Sequence, residues 1–378
     1  MKNVVIAGYC RSPFTPANKG KLVKVRPDDF AAQVIKGLIS KTGVNPNDIE
    51  DLILGCAFPE GEQGLNVARL LVPLAGLPVS VAGSTVNRFC GSSMQAIHMA
   101  AGAIQMDAGE VFICAGVESM TRVPMGGFNN MPNPVLYEAF PQAYINMGDT
   151  AENLAKQYQI ERTDQEAFAV LSQQKTHDAQ QHGRFTDEII AITTKSDVVD
   201  LDGCPRPDST PESLAQLPPA FQAAGSVTAG TSSPLTDGAA AVLVCSEDYA
   251  DANGLEKLAR LKAFAVSACA PEIMGIGPVG ATHKALKRAG LELDDIDIVE
   301  LNEAFAAQSL AVLKELPVPL AKLNLDGGAI ALGHPLGASG ARITGKAASL
   351  LKRENKRYAL ATMCIGGGQG IATILEAI

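Results

Sequence analysis

Pro46-Asn47-Asp48-Ile49-Glu50-Asp51-Leu52-Ile53-Leu54-Gly55-Cys56-Ala57-Phe58 has a counterpart late in the chain, Leu293-Asp294-Asp295-Ile296-Asp297-Ile298-Val299-Glu300-Leu301-Asn302-Glu303-Ala304-Phe305. Each is an acidic turn, an apolar run of strand character and an Ala-Phe pair. Downstream of the first stands Cys90-Gly91-Ser92-Ser93, and downstream of the second Leu336-Gly337-Ala338-Ser339-Gly340. Both open a helical pattern. Both are followed by a strand that runs into glycine, Cys114-Ala115-Gly116 in one case and Cys364-Ile365-Gly366-Gly367-Gly368 in the other. Three matches in one order read as a duplication, with halves near 1–250 and 251–378. The repeat is too long for a solenoid. Two such halves would pack face to face and bring corresponding loops to one shared site.

Outward from these segments, strand-like runs alternate with helical patterns, the signature of an α/β fold. Strands are expected at Lys2–Ala7, Asp51–Cys56, Val111–Gly116, Ala240–Ser246, Ala259–Ser267, Ile296–Leu301 and Tyr358–Met363. Helices are expected at Pro27–Thr42, Gly64–Ala75, Ser92–Gln105, Thr163–His182, Val279–Ala289, Phe305–Leu316 and Ala338–Glu354. The first half is longer by the stretch Met120–Gly225. There, clusters of Pro, Asn and Gly (Met125–Pro134, Cys204–Pro219) surround a helical pattern too rich in Met, Phe and Tyr for a disordered linker. The expected organisation is a first half over 1–119 and 226–250, an inserted lid over 120–225, and a second half over 251–378.

Composition narrows the function. With 378 residues and a formal net charge of −9, the chain lacks the basic balance of a nucleic-acid binder. It has no apolar run of roughly 18 residues, so no membrane span is expected. Met1–Gly8 reads as a strand rather than a secretion signal, and Leu375-Glu376-Ala377-Ile378 is no recognised address. The eight cysteines are scattered without a Cys-x-x-Cys pair. That leaves zinc and dithiol chemistry unsupported and fits free thiols in a reducing, cytoplasmic compartment.

Four segments carry candidate chemistry. In Asn87-Arg88-Phe89-Cys90-Gly91-Ser92-Ser93, Cys90 sits at a helix start, where the dipole favours thiolate and N–H groups face an oxyanion; a buried structural Cys is the alternative. Gly327–Arg342 holds His334 in a glycine-dense loop that lets an imidazole project. His is the usual base for a thiol, and a structural His bonded to backbone is the other reading. In Thr362–Gly370, Cys364 ends an apolar strand, as a core Cys also would. In Glu300–Gln308, Asn302 stands at a helix start, where it could equally be an N-cap. His177 and His182 lie on a polar helix, in solvent.

Together the four segments resemble the signatures of the thiolases: Asn-Arg-x-Cys-Gly-Ser, Asn-Glu-Ala-Phe, Gly-Gly-Ala-Ile-Ala-x-Gly-His-Pro-x-Gly-x-Ser-Gly-Ala-Arg and Cys-x-Gly-Gly-Gly-Gln-Gly. The resemblance runs from Val4 to Glu376 and includes Val227–Ser233 and Asp237–Ala241. It implies a five-layer fold of two α/β halves with a lid inserted in the first. It implies that Cys90 is the acylated nucleophile, His334 its base, and Cys364 the acid/base for the acetyl-CoA carbon and the CoA thiol. The enolate oxygen would meet His334 and a water held by Asn302. The acyl carbonyl would meet the N–H groups of Cys90 and Gly366. Coenzyme A would enter as substrate, with no cofactor and no metal, beneath the lid. Ser233, Ala229, Phe221, Met147, Ala304, Phe305 and, on the adenine, Arg206 match binding positions there.

A ketoacyl-carrier-protein synthase would carry a second His in place of Asn302 and lack the Cys364 loop. A silent CoA-binding scaffold would not retain all four catalytic positions. Within the family, the surroundings of Thr231-Ser232-Ser233 and Cys364 favour a degradative 3-ketoacyl-CoA thiolase of β-oxidation over an acetyl-CoA C-acetyltransferase limited to four carbons. A homodimer or homotetramer is implied, and a hydratase/dehydrogenase partner is an option. The lid residues Val123, Met125, Phe128, Met131, Val135, Leu136, Phe140, Ile145 and Met147 are expected to line an acyl channel, or else to pack in a subunit interface.

Overall fold

The computed structural model describes residues 2–378. The chain runs through β1 (Val4–Arg11), β2 (Thr15–Pro16), α1 (Pro27–Thr42), β3 (Asp51–Gly55), α2 (Val67–Leu74), β4 (Ala82–Val86), α3 (Ser92–Gln105) and β5 (Val111–Ser119). The insertion holds α4 (Pro134–Ala139), α5 (Met147–Gln157), α6 (Arg162–Gln181), the short ladder of β6 (Ile192–Thr193) and β7 (Val198–Val199), and α7 (Pro211–Ala215). β8 (Thr236–Ser246) and α8 (Glu247–Ala252) complete the first half. The second half is β9 (Ala259–Ala268), α9 (Gly277–Ala289), β10 (Ile298–Leu301), α10 (Ala306–Glu315), α11 (Ala329–Leu332), α12 (Leu336–Arg353), β11 (Tyr358–Ile365) and β12 (Gln369–Glu376).

Strand pairing displays the duplication. The first array has the order β4-β3-β5-β8-β1, with β3 parallel to β4 and β5, and β8 antiparallel to β5 and β1. The second has β10-β11-β12-β9, with β10 parallel to β11, and β12 antiparallel to β11 and β9. Val299 of β10 also bridges in parallel to Leu323, where the first array has β4. The arrays join only at Val5–Arg260 and Ile6–Ala259.

Side-chain alternation builds the layers. Along β5, Val111, Ile113, Ala115 and Val117 enter one apolar cluster, while Phe112 and Cys114 enter another. This is the two-sided burial of a central strand. The middle cluster joins Met94, Ile97 and Ile104 of α3 and Ile343, Ala347 and Leu350 of α12 to strands of both arrays. α1 and α2 cover the outer face of the first array, through Phe30, Ile35 and Leu71. α9 and α10 cover that of the second, through Ala281, Ala285 and Val312. The result is α/β/α/β/α, with α3 and α12 at the centre.

The insertion is tied down by charge. Arg11, fully buried, bonds both oxygens of Asp202 at 2.6 and 2.8 Å and Glu188 at 2.7 Å. Lys346 of α12 reaches Glu188 at 2.9 Å and Asp326 at 2.7 Å. One paired network thus spans the first half, the insertion and the second half. Removing one partner would strand a buried charge.

Three differences from the sequence reading are instructive. β4, Ala-Gly-Ser-Thr-Val, has little apolar content because it is a half-exposed edge strand. β12 follows a glycine turn at Gly367 and Gly368, whose positive φ values (78° and 80°) make the hairpin. The third repeat match is three residues out of register. Asp51 pairs with Phe112 and its counterpart Ile298 with Ala359, so the structural equivalent of Cys364 is Val117, and Cys114 corresponds to Ala361.

The central helices approach the strand ends backbone to backbone. A Cβ on Gly55 would lie 2.3 Å from Ser93 N, one on Gly116 2.1 Å from Gly337 O, and one on Gly340 2.4 Å from Met94 N. Gly340→Ala is therefore expected to lose about 1–3 kcal/mol. Gly102→Ala, on the open face of α3 with nothing near its Cβ, should be neutral or gain up to about 1 kcal/mol. Urea unfolding of the two variants checks this; equal midpoints would remove the close-approach argument.

Candidate active site

Cys90 ends a pinned turn. The Asn87 side chain accepts from Phe89 N at 2.8 Å and donates to Ala57 O at 2.9 Å. Ser92 Oγ accepts from Arg88 N at 2.9 Å and donates to Phe89 O at 2.5 Å. Phe89, a non-glycine residue, is held at φ +43°, strain of the kind found where a side chain must be aimed. The turn delivers the sulfur to the start of α3.

His334 comes from the second half. Its N–H donates to Thr236 Oγ1 of β8 at 3.0 Å, and that hydroxyl donates to Pro234 O at 2.6 Å. Its Nδ1 lies 2.6 Å from Ser339 Oγ and its Nε2 3.3 Å from Asn302 Nδ2. Two buried carboxylates set the loops. Glu118 accepts from Gly337 N at 2.9 Å, Ala57 N at 2.8 Å and Gln63 Nε2 at 2.6 Å. It fastens the loop after β3 to the start of α12. Glu303 accepts from Ser172 Oγ at 2.6 Å, Asn324 Nδ2 at 2.7 Å and Ile330 N at 3.2 Å. It anchors the glycine loop beside Asn302 and ties it to α6.

Cys90, His334 and Cys364 line one cleft of about 130 Å³ with Met120, Met125, Met147, Phe221, Ser233, Met274, Ala304 and Phe305. Ser233 N donates to Ala304 O at 3.0 Å, and the Phe221 and Phe305 rings meet edge-on at 5.8 Å. The Gly366 N–H points at the Cys90 sulfur. Asn302 stands behind His334, fully buried. A larger hollow of about 800 Å³, lined by Lys19, Lys24 and Lys36, has neither Cys nor His in its walls. Chemistry rather than size therefore picks the smaller cleft.

Two expected binding residues are not brought to this cleft. Ala229 and Arg206 are exposed outside it; the Arg206 N–H is taken by Gln173 Oε1 at 2.7 Å. The lid residues, expected to line an acyl channel or to pack in a subunit interface, divide between cleft and surface. Of that set only Met125 and Met147 line the cleft, Val123 is buried, and Phe128, Met131, Val135, Leu136 and Phe140 lie exposed on the surface of this chain. Sequence reasoning missed Thr236, Glu118 and Ser339. The signal for Glu118 was present, as a lone carboxylate at the end of an apolar strand.

Burial dominates the electrostatics. Desolvation pushes the Cys90 thiol up to about 11, although the Gly366 and Cys90 N–H groups oppose it. Burial thus outweighs the pull of the helix start toward thiolate. The Cys364 thiol is pushed up by burial and then by nearby Cys90. His334 is pushed down to about 3 by burial and then by the Arg342 charge. At neutral pH the site therefore holds two thiols and a neutral imidazole. It can activate a thiol by proton transfer when an electrophile arrives, without separating charge beforehand.

Residues 4–248 match the family model "Thiolase, N-terminal domain" and residues 255–377 "Thiolase, C-terminal domain". The chain belongs to the thiolase family. It is 46% identical to a 3-ketoacyl-CoA thiolase of Bacillus subtilis (strain 168) over 100% of both chains. It is 49% identical to one from Aliivibrio fischeri, again over 100% of both. Among solved structures, human mitochondrial 3-ketoacyl-CoA thiolase superposes with a TM-score of 0.92 at 38% identity, covering 100% of this chain and 99% of that one. The Bacillus anthracis acetyl-CoA acetyltransferase gives 0.92 at 40%, with the same coverage.

The raised thiol has a testable consequence for this thiolase. The thiolate form of Cys90 grows only as pH rises toward about 11. Alkylation of Cys90 by iodoacetamide should therefore speed up roughly tenfold per pH unit between about pH 7 and 10. Peptide mass mapping at fixed times follows it. A plateau reached below pH 8.5 would show a thiolate already formed at rest.

Proposed function

We propose that this thiolase cleaves 3-ketoacyl-CoA with coenzyme A, yielding acetyl-CoA and an acyl-CoA two carbons shorter, as the thiolytic step of fatty acid β-oxidation. The observation that carries this reading is one cleft lined by Cys90 and Cys364, from different halves, and by His334 from a glycine-rich loop. His334 Nε2 takes the Cys90 proton as the sulfur attacks the 3-keto carbon. The bond between carbons 2 and 3 breaks, leaving an acyl-Cys90 thioester and an acetyl-CoA enolate. Cys364 protonates that enolate. The incoming CoA thiol then gives its proton to the Cys364 thiolate and attacks the thioester, releasing Cys90, which recovers its proton from His334. The Cys90 and Gly366 N–H groups serve the acyl carbonyl oxygen, and His334 with Asn302 serves the enolate oxygen.

CoA lies along Ser233, Met147, Phe221, Ala304 and Phe305 in this reading, with Ala229 and Arg206 further out toward the nucleotide. The enzyme works in the cytoplasm as a homo-oligomer. Eight free thiols fit a reducing compartment. The free edge of β4, flanked by exposed Leu65 and Phe89, fits a self-pairing surface.

A second reading, acetyl-CoA C-acetyltransferase restricted to acetoacetyl-CoA, is favoured by the small cleft and by the likeness to the Bacillus anthracis structure. Chain-length profiling separates the two. 3-Ketohexanoyl- and 3-ketooctanoyl-CoA should be cleaved at least as efficiently as acetoacetyl-CoA. Thiolysis confined to acetoacetyl-CoA would establish the second reading.

The division of labour is tested by mutation. Cys364→Ser should still acylate Cys90 from acetyl-CoA while slowing thiolysis by about 100-fold or more. His334→Ala should slow acylation itself. Near-normal thiolysis by Cys364→Ser, measured by loss of the 3-ketoacyl-CoA absorbance, would exclude the acid/base role.

A further inference from the structure

The base needs a tautomer, and the structure contains one residue able to choose it. If His334 Nε2 is to take the Cys90 proton, the resting proton must sit on Nδ1. A buried N–H requires an acceptor. Among the described residues, the polar atom bonded to Nδ1 is Ser339 Oγ, at 2.6 Å, and Ser339 is itself 1% exposed.

A serine hydroxyl has one proton. Ser339 lies in the first turn of α12, and its Oγ reaches Pro335 O at 3.1 Å. This is the backward bond to the carbonyl four residues earlier that helical serines form. With its proton on Pro335 O, Oγ presents a lone pair to Nδ1. Nε2 then carries the lone pair, with Asn302 Nδ2 3.3 Å away. The imidazole has no carboxylate partner, so the arrangement holds it neutral yet keeps Nδ1–H satisfied once Nε2 gains a proton.

We propose that Ser339 is a positioning residue that fixes His334 in the Nδ1–H tautomer and so leaves Nε2 as the proton acceptor of the site. The proposal rests on the base role given to His334 above, and its test is built to tell the two apart.

Two measurements are made on the full-length enzyme. The first is long-range proton–nitrogen NMR of protein labelled with ¹⁵N-histidine at neutral pH, with the His334 signals identified by their loss in His334→Ala. The expected result is protonated Nδ1 and bare Nε2 in the wild type, and loss of that pattern in Ser339→Ala. The second is the rate of Cys90 acetylation by acetyl-CoA, followed by mass spectrometry. Ser339→Ala should lower the maximal rate about 10- to 100-fold with half-saturation within about twofold, the size expected for losing one hydrogen bond to a charging group. Ser339→Thr, which keeps the hydroxyl, should recover most of the rate. Ser349→Ala, which removes a similar backward-bonding hydroxyl on the same helix (Ser349 Oγ to Gly345 O, 3.0 Å), should leave it unchanged.

An Nε2–H tautomer in the wild type overturns the proposal, as does acetylation by Ser339→Ala within about threefold of wild type. Equal loss in the Ala and Thr variants, with both folded by circular dichroism, overturns it too. If wild-type Cys90 takes no acetyl group, the proposed function fails, and the NMR arm still decides the tautomer.

Discussion

The site exists because two helix N-termini meet at the centre of the molecule with almost no side-chain volume between them. α3 delivers Cys90 and α12 follows the loop of His334. Both must come close to the ends of β3 and β5. Gly55, Gly116, Gly337 and Gly340 are the positions where a single added carbon would strike backbone. Close packing of that kind is rigid, because neither partner has a flexible side chain to give way. It lets fixed donors, such as the Gly366 N–H, hold position where charge develops during reaction.

That closeness dehydrates the centre, and the electrostatics follow from it. Cys90 and Cys364 are raised and His334 is lowered for one reason, the cost of charge in a dry cavity. The helix dipole acts in the opposite direction on Cys90 and loses. A resting thiolate would be an exposed liability toward any electrophile, whereas a thiol beside a neutral base waits for a substrate that can accept the negative charge. The buried ions of the structure obey the same rule elsewhere. Arg11, Glu188, Lys346 and Asp326 are each paired on more than one side, and their network makes the insertion a fixed wall of the molecule.

Much of the fold was legible because the duplication repeats a distinctive acidic turn before a strand, and because α1, α3, α6 and α9 show plain helical periodicity. Cys90, His334, Cys364 and Asn302 stood out in the sequence through motifs that resemble the thiolase signatures, and the fold brings the first three to one cleft. What escaped reading had physical causes. β4 is an edge strand with one large apolar residue. The apolar lid residues left channel and interface open because composition reports hydrophobicity and not direction, and most of them are exposed on this chain. The burial of Cys90 escaped reading because a helix start is visible in sequence and a desolvating roof of Met, Phe and Leu from distant segments is not.

The two halves also explain why one of them carries the acid/base pair of the site and the other the nucleophile. Gly91 precedes α3 and Gly337 lies in the first turn of α12, and Ser93 and Ser339 follow each by two residues. The Ser93 hydroxyl accepts from Ala341 N at 2.8 Å and locks the helices together. The Ser339 hydroxyl turns instead to the imidazole. At the next strand, the pairing register matches Val117 with Cys364 and puts Val117 against the outer helices and Cys364 into the cleft. Differences at a few helix-start and strand-end positions divide nucleophile from base and base from acid.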